Sequence, residues 1–314
     1  PANSRGERAF VVRPAARVGG RSYRGRTANE SQEDVMALKF GFVGSFGSAS
    51  ELVSMAREAE DHGWDGYFTW DGISLPGMEG YDPWGILAAA AVQTERVTLG
   101  ALVFALPRRR PWELARQALT VDHLSGGRLV LPAGVGVLDD AGFSAVPGQL
   151  TSLRERAELL DDVLAFLERS WSGEAFSFDG KHISTGEMTI SPQPVHGRIP
   201  VWPVGVFPSE KSMSRAVRWD GVTVQLRGDR GLDPLTPEDV REVATWVGDH
   251  RDPAAGPFEL VVQRDFATDL DAAAQDARAL EAAGATWWLE AGWDPSTITA
   301  ESQLARIRQG PPRP

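Results

Sequence analysis

The stretch that decides the fold is Val97–Gly136, VTLGALVFALPRRRPWELARQALTVDHLSGGRLVLPAGVG. It holds two apolar runs, Val97–Leu106 and Arg128–Leu131, of the length expected for buried parallel strands. Between them a helix signal opens with proline at Pro111 and closes on the pair Gly126–Gly127. A strand–helix–strand unit of this size brings the second strand back parallel to the first through a right-handed crossover. Folds built from such units place ligands at the carboxyl ends of their strands, so Leu102–Arg110 and Ala133–Asp140 are the first segments to inspect. Asp122 and Arg128 flank the glycine turn at the opposite end and read as a structural ion pair.

Outward from this unit the alternation continues in both directions. Leu38–Val43 and Gly66–Trp70 read as strands one and two, with a capping box at Ser48 and Glu51 between them and an Asp82-Pro83 helix start after them. Helix four spans Ser152–Ser170, with a second capping box expected at Ser152 and Glu155. Phe176–Pro200 breaks the rhythm with alternation on both sides of an Asp179-Gly180 turn, which predicts a hairpin and a proline-rich connector. Strands five to eight follow at Val201–Gly205, Gly221–Leu226, Phe258–Gln263 and Thr286–Ala291. Helix starts are expected at Ser209, Thr236-Pro237, Thr268 and Thr299. Eight β–α units without a linker between them predict a single (β/α)8 TIM barrel with a hairpin insertion before strand five, occupying residues 36–314. Residues 1–35 differ: they carry seven arginines and no lysine, and they read as a disordered N-terminal extension.

Composition narrows the function. The 314 residues carry 43 acidic and 32 basic side chains, a net charge of -11, which argues against a nucleic-acid or anionic-membrane surface. The absence of cysteine removes disulfides, thiolate metal sites and cysteine nucleophiles, and fits a cytoplasmic protein. No apolar run reaches the roughly 18–20 residues that span a bilayer.

Five histidines are present. His62, His123 and His250 fall at helix C-termini, and His182 and His196 fall in the hairpin region. None follows a barrel strand, so a histidine metal site or a serine–histidine relay is not expected at the carboxyl face, and no metal is assigned. The carboxyl-end loops offer instead Asp71, Arg108–Arg110, Gln225, Arg227 and Trp293, with glycines at Gly134, Gly136 and Gly205 where backbone N–H groups can meet a phosphate. Such a mouth, holding aromatics and amides but no acid–base pair, suits a redox cofactor that brings its own chemistry. Asp71 and Gln225 are the candidate catalytic groups; Phe46, Arg108, Trp288 and Trp293 are the candidate substrate contacts.

Several segments carry a resemblance. AREAEDHGWDGYFTWD (Ala56–Asp71), DPWGILAAAAVQTERVTLGALV (Asp82–Val103), RRRPWELARQALTVDHLSGGRLVL (Arg108–Leu131), RSWSGEAFSFDG (Arg169–Gly180), RIPVWPVG (Arg198–Gly205) and AVRWDGVTV (Ala216–Val224) together resemble the bacterial luciferase-like superfamily of flavin- and deazaflavin-dependent oxidoreductases. The resemblance implies a small-molecule substrate and reduced FMN, or alternatively coenzyme F-420 (F420), at the carboxyl end of the strands. It implies a non-proline cis peptide at Leu102–Val103, with Trp70, Leu102, Val103 and Phe104 near the ring. Gly134, Val135, Gly136 and Val137, with Gly205 and Val206, are then expected beside the ribityl-phosphate arm. Homodimers are frequent among such proteins.

Two departures stand out. Asp71-Gly72 replaces the Asp-His or Glu-His that ends strand two in many relatives, and Gly205-Val206 replaces a Gly-Gly or Gly-Arg pair. The leading reading is a reduced-FMN-dependent monooxygenase served by a separate flavin reductase. The alternative is hydride transfer with F420, whose acidic tail would call on Arg108–Arg110 and Arg227. A third is a barrel that binds flavin without turnover.

Overall fold

The computed structural model describes residues 37–313 apart from Leu232, so the extension expected at 1–35 lies outside the described residues. The elements follow the eight-fold alternation. They are β1 (Lys39–Val43), α1 (Ala49–Asp61), β2 (Gly66–Thr69), α2 (Pro83–Ala91), β3 (Thr98–Ala101), β4 (Phe104–Ala105), α3 (Pro111–Ser125) and β5 (Leu131–Gly134). Next come α4 (Ala141–Ser144), α5 (Leu153–Ser170), the antiparallel hairpin β6 (Phe176–Asp179) with β7 (Ser184–Met188), β8 (Val201–Phe207), α6 (Glu210–Ala216) and β9 (Gly221–Leu226). The chain ends with α7 (Pro237–His250), β10 (Glu259–Arg264), α8 (Leu270–Ala283), β11 (Trp287–Glu290) and α9 (Ala300–Arg308).

The sheet runs β3-β2-β1-β11-β10-β9-β8-β5-β4 and every pair in it is parallel. Since β3 and β4 are consecutive pieces of one barrel strand, the two ends of this order meet. Leu99 bridges Leu129 in parallel, with Leu99 N–H donating to the Arg128 carbonyl at 3.0 Å. The result is a (β/α)8 barrel, and the break between β3 and β4 falls at a cis Leu102–Val103 peptide, the bond that the resemblance singled out.

Period-two alternation splits the apolar residues into two layers. Val43, Phe68, Leu102, Val130, Trp202, Val261, Trp287 and Leu289 form a cluster that fills the barrel. Gly41 and Gly100 leave the space that the Phe68 ring occupies, since a Cβ on either would meet it within 3.1 Å. The larger cluster, with Phe40, Tyr67, Phe104 and Trp288, packs the outer face of the sheet against the helices.

Local signals account for most boundaries. The Ser48–Glu51 capping box forms, Asp82 caps α2, and Gly126 ends α3 in the left-handed conformation. Four expectations shift. The fourth barrel strand is Leu131–Gly134 instead of Arg128–Leu131, because Arg128 is drawn into the turn by bonds to the carbonyls of Ala91, Thr94, Val97 and Ser125. For the same reason Arg128 makes no ion pair with Asp122, whose carboxylate accepts the Val195 N–H instead. Ser152 sits at the N-cap of α5 without a capping hydrogen bond. Helix α8 is capped by Asp269, one residue after Thr268.

Candidate active site at the barrel mouth

The carboxyl end of the barrel is where the interior layer reaches solvent. Val103 and Trp293 are half-buried and pack on the interior cluster, so they mark the level at which the core gives way to the mouth. By alternation Val206, Gln225 and Gln263 face the same interior from β8, β9 and β10. The register Val261↔Thr223, continued by two residues, sets Gln263 beside Gln225. Among the described residues neither amide side chain makes a hydrogen bond, so both are free to engage a ligand edge. Gln263 was not among the candidates, although the alternation of ELVVQR (Glu259–Arg264) carries the signal.

One side of the mouth is braced by charge. Asp71, at the end of β2, accepts from Arg108, from Arg109 Nη2 at 2.6 Å and from the Ala105 N–H at 3.0 Å. Arg108 also donates to Asp140 at 2.6 Å and to the Asp71 carbonyl at 2.9 Å. Asp140 in turn accepts from the N–H groups of Ile73, Ser74 and Gly142. Burial pushes the Asp140 carboxyl upward, but these N–H donors and Arg108 outweigh it and hold it below the usual aspartate value. The side chains of Asp71, Arg108 and Asp140 are each at most 3 % exposed. This network stitches together the loops after β2, β4 and β5, and a cleft of about 290 Å³ opens beside it between Asp71, Tyr81, Asp82 and Arg109. The arrangement commits Arg108 Nη1 and Nη2 to two carboxylates while Arg108 still lines the cleft, and it makes Asp71 an acceptor held by two guanidinium groups.

The loop after β5 rests on a second arginine. Gly136 adopts a left-handed conformation (φ 74°), and a Cβ there would overlap the Phe143 ring. Arg156 of α5 donates through Nη1 to the carbonyls of Val135 at 3.1 Å and Gly136 at 2.6 Å. Phe143 is buried between the two arginines, with Arg108 at 5.6 Å and Arg156 at 5.4 Å from its ring centre. With its carbonyls held from beneath, the loop leaves its N–H groups unspent. Among the described residues no acceptor is bonded to the N–H of Val135, Gly136 or Val137. Successive unpaired N–H groups around a left-handed glycine form a concavity suited to an anion, so this loop fits the phosphate of a flavin or deazaflavin.

The loop at the end of β8 is different. Gly205 lies inside the strand, paired with Val224, and its missing side chain admits α6: a Cβ there would approach Met213 Sδ at 2.7 Å. The Val206 N–H donates to Ser212 Oγ at 3.0 Å and is therefore spent. The glycine in Gly205-Val206 serves helix packing.

The remaining candidates separate by layer. Leu102 and Val103 belong to the interior cluster, and Gly134 lies under Val103, whose Cγ2 is 2.8 Å from where a Cβ would stand. Phe104 faces outward and stacks on Trp84 at 4.5 Å, so its ring does not reach the mouth. Trp288 is likewise outward, 6.0 Å from Phe40 in the helix-facing layer, which removes it from the substrate contacts; Trp287 is its inward neighbour. Trp70 is buried under Gly72 and Gly80 and donates to the Ser45 carbonyl at 2.7 Å. Phe46 is buried, and its carbonyl accepts from Gln303 of α9 at 2.6 Å. Among the described residues no group of three or more histidine, aspartate or glutamate side chains is placed to hold a metal ion. No helix there is long and apolar enough to cross a membrane.

The parallel barrel with its hairpin before the fifth strand, together with the family match over most of the chain, marks a luciferase-like oxidoreductase. Residues 25–309 match the family model of the luciferase-like monooxygenases, and the chain belongs to that family. It is 28 % identical over 253 residues to an F420-dependent glucose-6-phosphate dehydrogenase of Nakamurella multipartita, covering 77 % of this chain and 71 % of that protein. A protein of the same name from Intrasporangium calvum is 32 % identical over 173 residues, a match spanning about half of each chain (52 % and 51 %). Among solved structures, the F420-dependent tetrahydromethanopterin reductase of Methanopyrus kandleri superposes with a TM-score of 0.68 at 16 % identity, covering 88 % of this chain and 98 % of that one. A monooxygenase from Streptomyces bottropensis matches equally well, with a TM-score of 0.68 at 19 % identity, covering 86 % and 97 %.

Proposed function

We propose that this chain is an F420-dependent oxidoreductase that moves a hydride between the deazaflavin and a small organic substrate at the barrel mouth. The reading is carried by the relationship to the Nakamurella dehydrogenase over 77 % of the chain, whose name specifies that coenzyme. The mouth supports it with a cofactor-shaped division of labour. The N–H groups of Val135, Gly136 and Val137 would hold the phosphate, Leu102 and Val103 would support the ring, and the Gln225 and Gln263 amides would fix polar edges. Bound there, the deazaflavin supplies the two-electron chemistry. The protein contributes position, an apolar floor that excludes water, and hydrogen-bond donors already in place. Asp71, held by Arg108 and Arg109, orders the loop after β2.

One observation favours the FMN monooxygenase as a second reading. Arg108 and Arg109, two of the cations the sequence offers for an acidic coenzyme tail, are paired with Asp71 and Asp140. Arg227 remains exposed. FMN needs no such tail contacts, and would call for a separate reductase to supply its reduced form.

Titration of the protein with F420, FMN and reduced FMN, read by the fluorescence of its eleven tryptophans, tests the assignment. Micromolar or tighter binding of F420, with FMN weaker, is the expected result. Tight binding of reduced FMN alone, with oxygen uptake, would transfer the assignment to the monooxygenase.

A further inference from the structure

Gln225 and Gln263 stand on the side of the mouth away from the residues that would support the ring. In the sheet order β10 lies four strands from the β3–β4 strand in either direction, so Gln263 faces Val103 across the barrel. Gln225 is its neighbour on β9. Among the described residues neither amide makes a hydrogen bond. A ring packed on Leu102 and Val103 turns its open face toward the two amides, and the substrate's space lies between.

The surroundings decide what these amides can meet. Where solvent reaches the interior, the wall beside them is aliphatic or aromatic: Val103, Val204 and Val206 and, just past β11, Trp293. Ser45 and Trp70 close the β1 and β2 side and are buried. Trp70 Nε1 donates to the Ser45 carbonyl at 2.7 Å, and the Ser45 N–H donates to Gln303 Oε1 at 2.7 Å. Arg108 is paired with Asp71 and Asp140, and Arg109 with Asp71. Beyond the strand ends Arg227 and Asp265, both exposed, contribute opposite charges. A carboxylate or phosphate brought against this wall would lose water without gaining a counter-charge, and the chain's net charge of -11 opposes it further. An amide pair offers N–H donors and carbonyl acceptors without charge, which suits a carbonyl or hydroxyl group. Hydrogen bonds to such a group discriminate more sharply than the size of an apolar pocket does.

We propose that Gln225 and Gln263 are the specificity-determining residues of the substrate site, and that the substrate is an uncharged, largely apolar compound whose carbonyl or hydroxyl group they bind. The proposal deepens the oxidoreductase reading and rests on it. The glucose 6-phosphate in the name of the Nakamurella dehydrogenase, an anion, is then not accepted by this chain.

The test uses two probes of nearly the same shape: benzylacetone, a neutral ketone, and hydrocinnamate, in which a carboxylate oxygen replaces the methyl group. Glucose 6-phosphate is the third ligand. Binding is read by saturation-transfer NMR on the protein alone and with F420 or FMN added, for the wild type, Gln225→Leu/Gln263→Leu and Gln225→Lys/Gln263→Lys. The wild type should bind benzylacetone about tenfold more tightly than either anion, as desolvation of an unpaired charge requires. The paired leucines should weaken benzylacetone about fivefold or more, the loss of one or two neutral hydrogen bonds. The paired lysines should invert the preference in favour of hydrocinnamate. A wild type that prefers either anion, or binds none of the three, would overturn the proposal, as would leucines that leave benzylacetone binding unchanged. Should a double variant fail to fold, Gln225→Lys alone, at an exposed position, must reduce the preference for the ketone, and an unchanged preference would overturn the proposal. Cofactor titration of the leucine variant separates this inference from the reading beneath it. Unaltered F420 or FMN affinity supports amides that serve the substrate, whereas a loss parallel to that of benzylacetone assigns them to the cofactor and overturns the proposal. A ketone preference in a protein that binds FMN and not F420 would uphold the substrate class and defeat the F420 reading.

Discussion

The loops after β5 and at the end of β8 look alike in sequence, since each places a glycine at a strand's carboxyl end, and they behave oppositely in the fold. At Gly136 the glycine is needed for its backbone: φ is positive, Phe143 fills the side-chain position, and the neighbouring N–H groups stay free. At Gly205 it is needed for space: the strand is regular, α6 packs against it through Met213, and the next N–H is capped by Ser212. A glycine beside a cofactor site is evidence of phosphate binding only where its loop leaves donors unspent. Here that condition holds on one side of the barrel.

The largest effect should come from the brace that anchors the β5 side. Arg108→Met removes the shared partner of Asp71 and Asp140 and leaves buried carboxylates short of compensation, with Arg109 still on Asp71. We expect a loss of roughly 3–5 kcal/mol in denaturant unfolding, the range seen when one member of a buried pair is deleted. A loss below about 1 kcal/mol would show that the network relaxes easily and that the β5 loop is not rigidly held.

The two glycines should then part company. Gly205→Val would crowd Val222 and Met213, costing about 1–3 kcal/mol of stability as overpacking does, with no change in the ratio of FMN to riboflavin affinity. Gly136→Ala should cost as much or more, since about 1–2 kcal/mol for the left-handed backbone adds to the overlap of its Cβ with the buried Phe143 ring, and should abolish that ratio. Calorimetric unfolding and ligand titration on both variants decide the matter, and a ratio altered by Gly205→Val would erase the distinction.

Acid should expose the smallest difference. The Asp140 carboxyl is held below its ordinary value of 3.8, so it binds fewer protons folded than unfolded. Its contribution is present above that value and disappears as the pH falls from there through the lowered folded value. Asp140→Asn should therefore unfold with a shallower dependence on pH below about 4 than the wild type. Identical slopes would remove Asp140 from the acid-sensitive groups of the mouth.

How much of this was legible beforehand follows the range of each interaction. Pro111, the Gly126–Gly127 pair, Asp82-Pro83 and the Ser48–Glu51 box act within a few residues, and the elements they predict are present. The strand-four boundary slipped by three residues because Arg128 is claimed by carbonyls more than thirty positions upstream, at Ala91, Thr94 and Val97. Trp288 and Phe104 were drawn toward the site by their chemistry and excluded from it by alternation: each sits one step out of phase with the barrel interior. Arg156 carried no local signal, because its partners Val135 and Gly136 are about twenty residues away across α4.

By itself the sequence determined the repeating β–α order, the hairpin before the fifth barrel strand, the family and the end of the barrel where chemistry belongs, because hydrophobic period, caps and turns are encoded in neighbouring residues. Only the tertiary structure decided which arginine is a brace and which is unpaired, which glycine frees N–H donors and which admits a helix, and which aromatics face inward. Those outcomes depend on burial and on partners brought together by barrel closure, and desolvation assigns a charged or polar group its role only after its surroundings are in place.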